Sequence, residues 1–131
     1  MERERKKMAT ILLVEDDAPL RTMLKLTLIY SGYQVLEAGS TDEVATICEQ
    51  KRPDLVITDL AMPINDAFEV SMKLRRGNRK AKILALSPGG PMSAETNLDI
   101  AHKLGAYQTL AKPFSTAEFL AAVRQALESD A

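Results

Sequence analysis

The chain has one cysteine, one histidine and almost no net charge, and it lacks any long apolar run. Each shortage removes a class of protein. Cys48 alone cannot form an intrachain disulfide, and such scarcity fits a reducing compartment. His102 falls on a predicted helix with no metal-ligand partner three or four residues away except Asp99, so it reads as a surface residue. No apolar run approaches the ~20 residues needed to cross a bilayer. The short run from Ala9 to Val14 ends in Glu15-Asp16-Asp17, which denies the charged N-terminus the apolar stretch of a signal peptide. A formal net charge of -1, from 17 basic and 18 acidic residues, leaves no electrostatic footprint for nucleic acid. Together these shortages point to a cytoplasmic protein that enters no membrane and binds no nucleic acid.

What is present is ordinary globular material, 131 residues of which 46% are hydrophobic and 27% charged. That is one domain's worth of core. Residues 1–8 read as a charged, flexible lead-in and residues 9–129 as the domain. Thr10 to Val14 is a continuous apolar strand. Asp17 can cap the following helix with Pro19 in its first turn, Leu20, Met23, Leu24, Thr27 and Leu28 supply an apolar face, and Gly32 ends it. Tyr33 to Glu37 is a second strand. Ser40-Thr41-Asp42-Glu43 is a capping box, opening a helix lined by Val44, Ile47 and Cys48, with Cys48 as a small core residue.

Residues 66–76 alternate in polarity as a strand would. A parallel sheet needs a crossover there, however, and Arg75-Arg76-Gly77 ends like a helix, so a helix is expected. Lys82 to Leu86 and Tyr107 to Ala111 complete five strands, with a helix between Met92 and Leu104. Ser115-Thr116-Ala117-Glu118 is a second capping box, and Phe119 or Leu120, Val123 and Leu127 line the last helix. Five strands alternating with five helices, without repeat or linker, predict an α/β fold with a parallel sheet covered on both faces.

The stretch Leu55-Val56-Ile57-Thr58-Asp59-Leu60-Ala61-Met62-Pro63 puts a carboxylate at the end of a buried strand, where open parallel sheets place their chemistry. Glu15 and Asp16 follow the first strand, Ser87 the fourth and Lys112 the fifth, so all share that edge. Taken singly, an Asp after a strand is a common turn residue and Ser87 a common turn hydroxyl. Three carboxylates that close repel one another unless one is protonated or a cation sits among them. Hard oxygen ligands suit Mg2+, with Mn2+ as a substitute. A hydroxyl and an ammonium opposite can hold phosphoryl oxygens, and a carboxylate can attack phosphorus to carry the group as an acyl phosphate.

Glu15-Asp16, Asp59 followed by Met62-Pro63, Ser87 and Lys112-Pro113-Phe114, in that order and spacing, resemble the receiver domain of two-component response regulators. The resemblance covers residues 9–129 and suggests a stand-alone domain. It implies a flavodoxin-like (βα)5 fold, a doubly wound parallel five-stranded sheet of order 2-1-3-4-5. It implies that Asp59 is the phosphoacceptor, served by a histidine kinase or histidine phosphotransfer protein in a two-component system or phosphorelay. Such a domain is no enzyme beyond catalysing its own phosphorylation and dephosphorylation. Mg2+ would be held by Asp16, Asp59 and the backbone carbonyl of Ala61, with Glu15 acting mostly through water. Lys112 would pair with a phosphoryl oxygen. Ser87 would turn toward the phosphate and so alter the surface of the fourth helix, fifth strand and fifth helix for a downstream protein the sequence does not name. A monomer or weak homodimer is expected, with a cis Lys112–Pro113 bond.

Three positions depart from the family pattern. Thr109 stands where an aromatic residue is usual, with Tyr107 out of register. Ala67 replaces a typical glycine, and Pro88 removes an N–H beside the switch serine. Pro88 and Thr109 keep open a degenerate receiver that binds partners without phosphorylation, against which the intact Asp16, Asp59, Ser87 and Lys112 argue. A Mg2+-dependent phosphohydrolase is a further alternative, though Ala61 stands where its second acid should be. A flavin carrier of the same topology fails, because Glu15-Asp16-Asp17 would repel the phosphate.

Overall fold

A computed structural model of the chain describes residues 9–39, 41–59, 71–72, 82–88, 102 and 105–128. Its elements are β1 (Thr10–Val14), α1 (Ala18–Tyr30), β2 (Gln34–Ala38), α2 (Thr41–Lys51), β3 (Leu55–Asp59), β4 (Lys82–Ser87), β5 (Gln108–Ala111) and α3 (Thr116–Glu128). The five strands form one sheet of order β2-β1-β3-β4-β5, parallel throughout. This is the doubly wound, flavodoxin-like arrangement expected. Of the two helices expected over 66–76 and 92–104, only Ser71, Met72 and His102 are described, and each is helical. His102 is exposed, as expected of a surface residue. The lead-in 1–8 and the capping residue Ser40 lie outside the described residues.

The strands are apolar on both faces because helices cover both. Ile11 and Leu13 of β1, Leu55 and Ile57 of β3, and Leu84 and Leu86 of β4 point to one side, where Leu24 and Leu28 of α1 and Phe119 and Val123 of α3 meet them. Leu12, Val14, Val56 and Ile83 point to the other, against Val44 and Cys48 of α2. This is the period of two that a pleated strand imposes. Each fully buried aliphatic side chain contributes about 1.5–3 kcal/mol, so the two layers together hold the sheet rigid.

Helix ends follow local chemistry. The Asp17 carboxylate accepts from the Leu20 N–H at 3.2 Å and caps α1. At the other end the Gly32 N–H donates to the Ile29 carbonyl at 3.0 Å and the Tyr33 N–H to Leu28 at 3.1 Å. Gly32 reaches this arrangement at φ 94°, where a side chain would be strained. Tyr33 spends its N–H on this cap, so β2 starts one residue later than the alternation suggested. The second capping box is closed in both directions, Glu118 N–H to Ser115 Oγ at 3.0 Å and Ser115 N–H to Glu118 Oε1 at 3.1 Å. Of Phe119 and Leu120, Phe119 is the fully buried one and Leu120 is only partly buried; Phe119 stacks on Phe114 at 5.6 Å between centroids.

One expectation fails on α1. Met23 is 52% exposed, alongside Leu26, Ile29 and Tyr30. Leu20, Leu24 and Leu28 lie one above another toward the sheet, and Met23 sits about 100° around the helix from that line. Replacing Gly32 by Ala should destabilise the domain by about 1–2 kcal/mol, because Ala resists a positive φ. Ser115→Ala should cost about 1 kcal/mol through the lost cap. Urea denaturation of both variants measures the two effects.

Candidate functional site

Register brings the acids together. Val14 lies opposite Thr58 across the β1–β3 ladder, so the next residues, Glu15 and Asp59, end level with each other. Each follows a core residue by two, Leu13 and Ile57, and therefore faces the same side of the sheet. Glu15 is 1% and Asp59 2% exposed, while Asp16 begins the turn and reaches solvent. One carboxylate oxygen from each of Glu15, Asp16 and Asp59 lies within 4.8 Å of the other two.

Lys112 reaches this cluster from the end of β5. Its Nζ donates to Asp59 Oδ2 at 2.8 Å and stands 3.7 Å from Glu15 Oε1. The backbone N–H of Lys112 donates to the Ser87 carbonyl at 3.0 Å, tying the ends of β4 and β5 together. Ser87 is buried at the end of β4, one residue beyond Leu86, the ladder partner of Asp59. The Lys112–Pro113 bond is cis, as expected.

The charges in this cluster are strained. Burial, then the neighbouring Asp59 carboxylate, pushes the Glu15 pKa up to about 7, against a smaller opposing pull from Lys112. Burial on its own would lower the Lys112 pKa. The hydrogen bond and charge of Asp59, with the charge of Glu15, outweigh it and raise the value above that of an ordinary lysine. Among the described residues, neither carboxylate oxygen of Glu15 has a hydrogen-bond partner. A buried acid with unfilled lone pairs, beside two more carboxylates, is the hard-oxygen donor set that a small divalent cation takes.

Of the predicted site residues, Glu15, Asp16, Asp59 and Lys112 converge and Ser87 lies at the adjoining strand end. Ala61 and Ala67 lie outside the described residues. Pro88 directly follows Ser87 and is half-buried. Thr109 is paired with Ala85 in the β4–β5 ladder. Tyr107 sits 5.5 Å from Lys82 Nζ, at the start of β4, which is the sheet edge opposite Asp59. It therefore cannot stand in for an aromatic residue at the carboxyl edge.

Sequence reasoning passed over Arg21. Its guanidinium donates through NH1 to the Glu15 carbonyl at 2.6 Å, and its Nε lies 3.4 Å from Glu37 Oε1. Glu37 also receives Lys25 at 3.0 Å. The available signal was an arginine in the first turn of the helix that follows the acid run, but its target on β1 and its partner on β2 are visible only once the strands are paired.

These features define a flavodoxin-like α/β domain with an acidic, cation-type site at the carboxyl edge of its sheet. Residues 11–124 match the response regulator receiver domain, and the chain belongs to that family of signalling domains. It is 32% identical over 120 residues to the phosphate regulon transcriptional regulatory protein PhoB of Pseudomonas aeruginosa, covering 90% of this chain and 51% of that protein. The chain spans about half the length of the curated relatives it matches. Among solved structures it resembles the chemotaxis protein CheY4 of Vibrio cholerae, with a TM-score of 0.78 and 29% identity over 91% of this chain and 98% of that one. It also resembles the receiver domain of the Pseudomonas aeruginosa sensor histidine kinase PA1611, with a TM-score of 0.78 and 25% identity over 93% and 99% of the two chains. That domain was solved with a magnesium ion coordinated in its active site cleft. Among the described residues, no helix of this chain is long and apolar enough to cross a membrane.

The raised Glu15 pKa has a stability consequence with a definite sign. Between about 4.5 and about 7 the folded chain holds a proton on Glu15 that the unfolded chain has released, so stability falls as pH rises through that window. In Mg2+-free buffer Glu15→Gln should therefore be the more stable protein at pH 8, by on the order of 2 kcal/mol, and should lose that part of the pH slope. Urea midpoints at pH 5 and pH 8, in the presence of a chelator, read both changes.

Proposed function

We propose that the chain accepts a phosphoryl group on Asp59 from a phosphohistidine protein, a histidine kinase or a histidine phosphotransfer protein, within a cytoplasmic two-component system or phosphorelay. The observation that carries this reading is the 2.8 Å pair between Lys112 Nζ and Asp59 Oδ2 inside an acidic cluster that Glu15 and Asp16 after β1 form with Asp59 at the end of β3. An Asp59 oxygen attacks phosphorus as the bond from phosphorus to the donor's imidazole nitrogen breaks. The product is an acyl phosphate on Asp59 and a neutralised imidazole on the donor.

The chain's own residues prepare that step. Lys112 orients the Asp59 carboxylate before transfer and lies within reach of a phosphoryl oxygen after it. Burial of Asp59 at the rigid end of β3 keeps the nucleophile in one position and limits the water that would hydrolyse the product. Glu15, Asp16 and Asp59 would hold Mg2+, or Mn2+ in its place, together with the Ala61 carbonyl. When bound, that ion supplies the positive charge that lets an anionic carboxylate approach an anionic phosphoryl group. Ser87, at the neighbouring strand end, is suited to report the new charge by hydrogen bonding to it.

The signalling unit is residues 9–129, with residues 1–8 as a charged lead-in, and the chain's only chemistry is its own phosphorylation and dephosphorylation. Its output is a change in the surface around β5 and the flanking helices, read by a partner protein. Incubation with Mg2+ and acetyl phosphate, or with a phosphorylated kinase, should add a single phosphoryl group detected by intact-protein mass. Asp59→Asn should show none. An unlabelled wild type, beside a control receiver that is labelled, would favour a phosphorylation-independent interaction module. Sustained turnover of free phosphomonoesters would favour a hydrolase.

A further inference from the structure

The backbone of Glu15 is gripped on both sides. Its N–H donates to the Ala38 carbonyl of β2 at 3.2 Å, and its carbonyl accepts from Arg21 NH1 at 2.6 Å. The second bond fixes the plane of the Glu15–Asp16 peptide, and hence the direction in which the Asp16 side chain leaves the turn. Arg21 is itself positioned. Glu37 of β2 faces its Nε at 3.4 Å, and Lys25 holds the other Glu37 oxygen at 3.0 Å. Gly39 leaves the space that the guanidinium occupies, since a Cβ there would sit 3.2 Å from NH1. The arrangement therefore runs from β2 through an α1 side chain to the turn bearing two of the three acids.

The geometry points to Arg21 as a positioning residue for the divalent-cation site: its bond to the Glu15 carbonyl holds the Glu15–Asp16 turn in the shape that lets Asp16 join Glu15 and Asp59. The inference rests on the proposed function, in which those acids hold Mg2+. It carries a distinctive sign. Arg21 is a cation close to a cation site, so charge alone would make its removal tighten metal binding. Positioning predicts the reverse, because partners that orient metal ligands commonly control affinity by tenfold or more.

The test is Mn2+ binding by electron paramagnetic resonance, with Mg2+ measured by competition, on the folded full chain. Arg21→Gln should bind about tenfold more weakly. Arg21→Lys keeps the charge but lacks the planar fork that meets both the carbonyl and Glu37, so it should fall between the two. Gly39→Ala leaves every charged group in place, crowds the guanidinium and should weaken binding by a smaller factor. Exchange of the Asp16 amide proton in metal-free protein should be faster in Arg21→Gln than in wild type. Equal or tighter binding by Arg21→Gln overturns the inference while leaving the proposed function standing. Should Arg21→Gln fail to fold, unchanged affinity in Gly39→Ala overturns it in the same way. A wild-type chain that takes up neither ion overturns the proposed function and the inference with it.

Discussion

Glu15 and Asp59 place two buried carboxylates side by side at the carboxyl edge of an open sheet, with the Lys112 ammonium against them. In water such groups would separate. Here the ladder between β1 and β3 holds them level, and burial, with the neighbouring Asp59 carboxylate adding to it, lifts the Glu15 pKa to about 7. A site in that condition gains from any added positive charge. The same crowding that costs stability in the resting domain therefore favours a cation among the carboxylates.

The sheet can carry this cost because its interior is ordinary. Leu and Ile fill one face and Val, Ala and Cys48 much of the other, and neither layer shares a side chain with the charged edge. The site residues come from the ends of four strands, Glu15 and Asp16 together from β1, so strand register and not a single loop brings them to one edge. Arg21 extends the same logic to the turn after β1, where no ladder remains to hold the chain. A helix side chain supplies the bond that a neighbouring strand would otherwise provide.

Much of this was legible beforehand, for identifiable reasons. Apolar runs that end in Glu15-Asp16, Asp59, Ser87 and Lys112 announce parallel strands and the edge they share. Asp17 and the Ser115–Glu118 box act within a few residues, so local pattern was enough to find them. The failures came where the decision was not local. Met23 has the residue type of a core position, but helix phase against the sheet turns it outward. Tyr33 has strand character, yet the Gly32 turn claims its N–H. Arg21 drew no reading at all, because nothing nearby in sequence reveals that the Glu15 carbonyl and Glu37 flank it.

Cys48 carries a consequence of its own. Its thiol is buried, and burial together with the charge of Glu49 raises its pKa, so it is poorly disposed to react in the closed fold. It belongs to the layer under α2 and not to the layer shared by α1 and α3. Being the sole cysteine, it makes the rate of alkylation a clock for one side of the sheet. Events at the acidic edge that loosen α2 would quicken that clock, whereas events confined to the opposite layer would leave it unchanged.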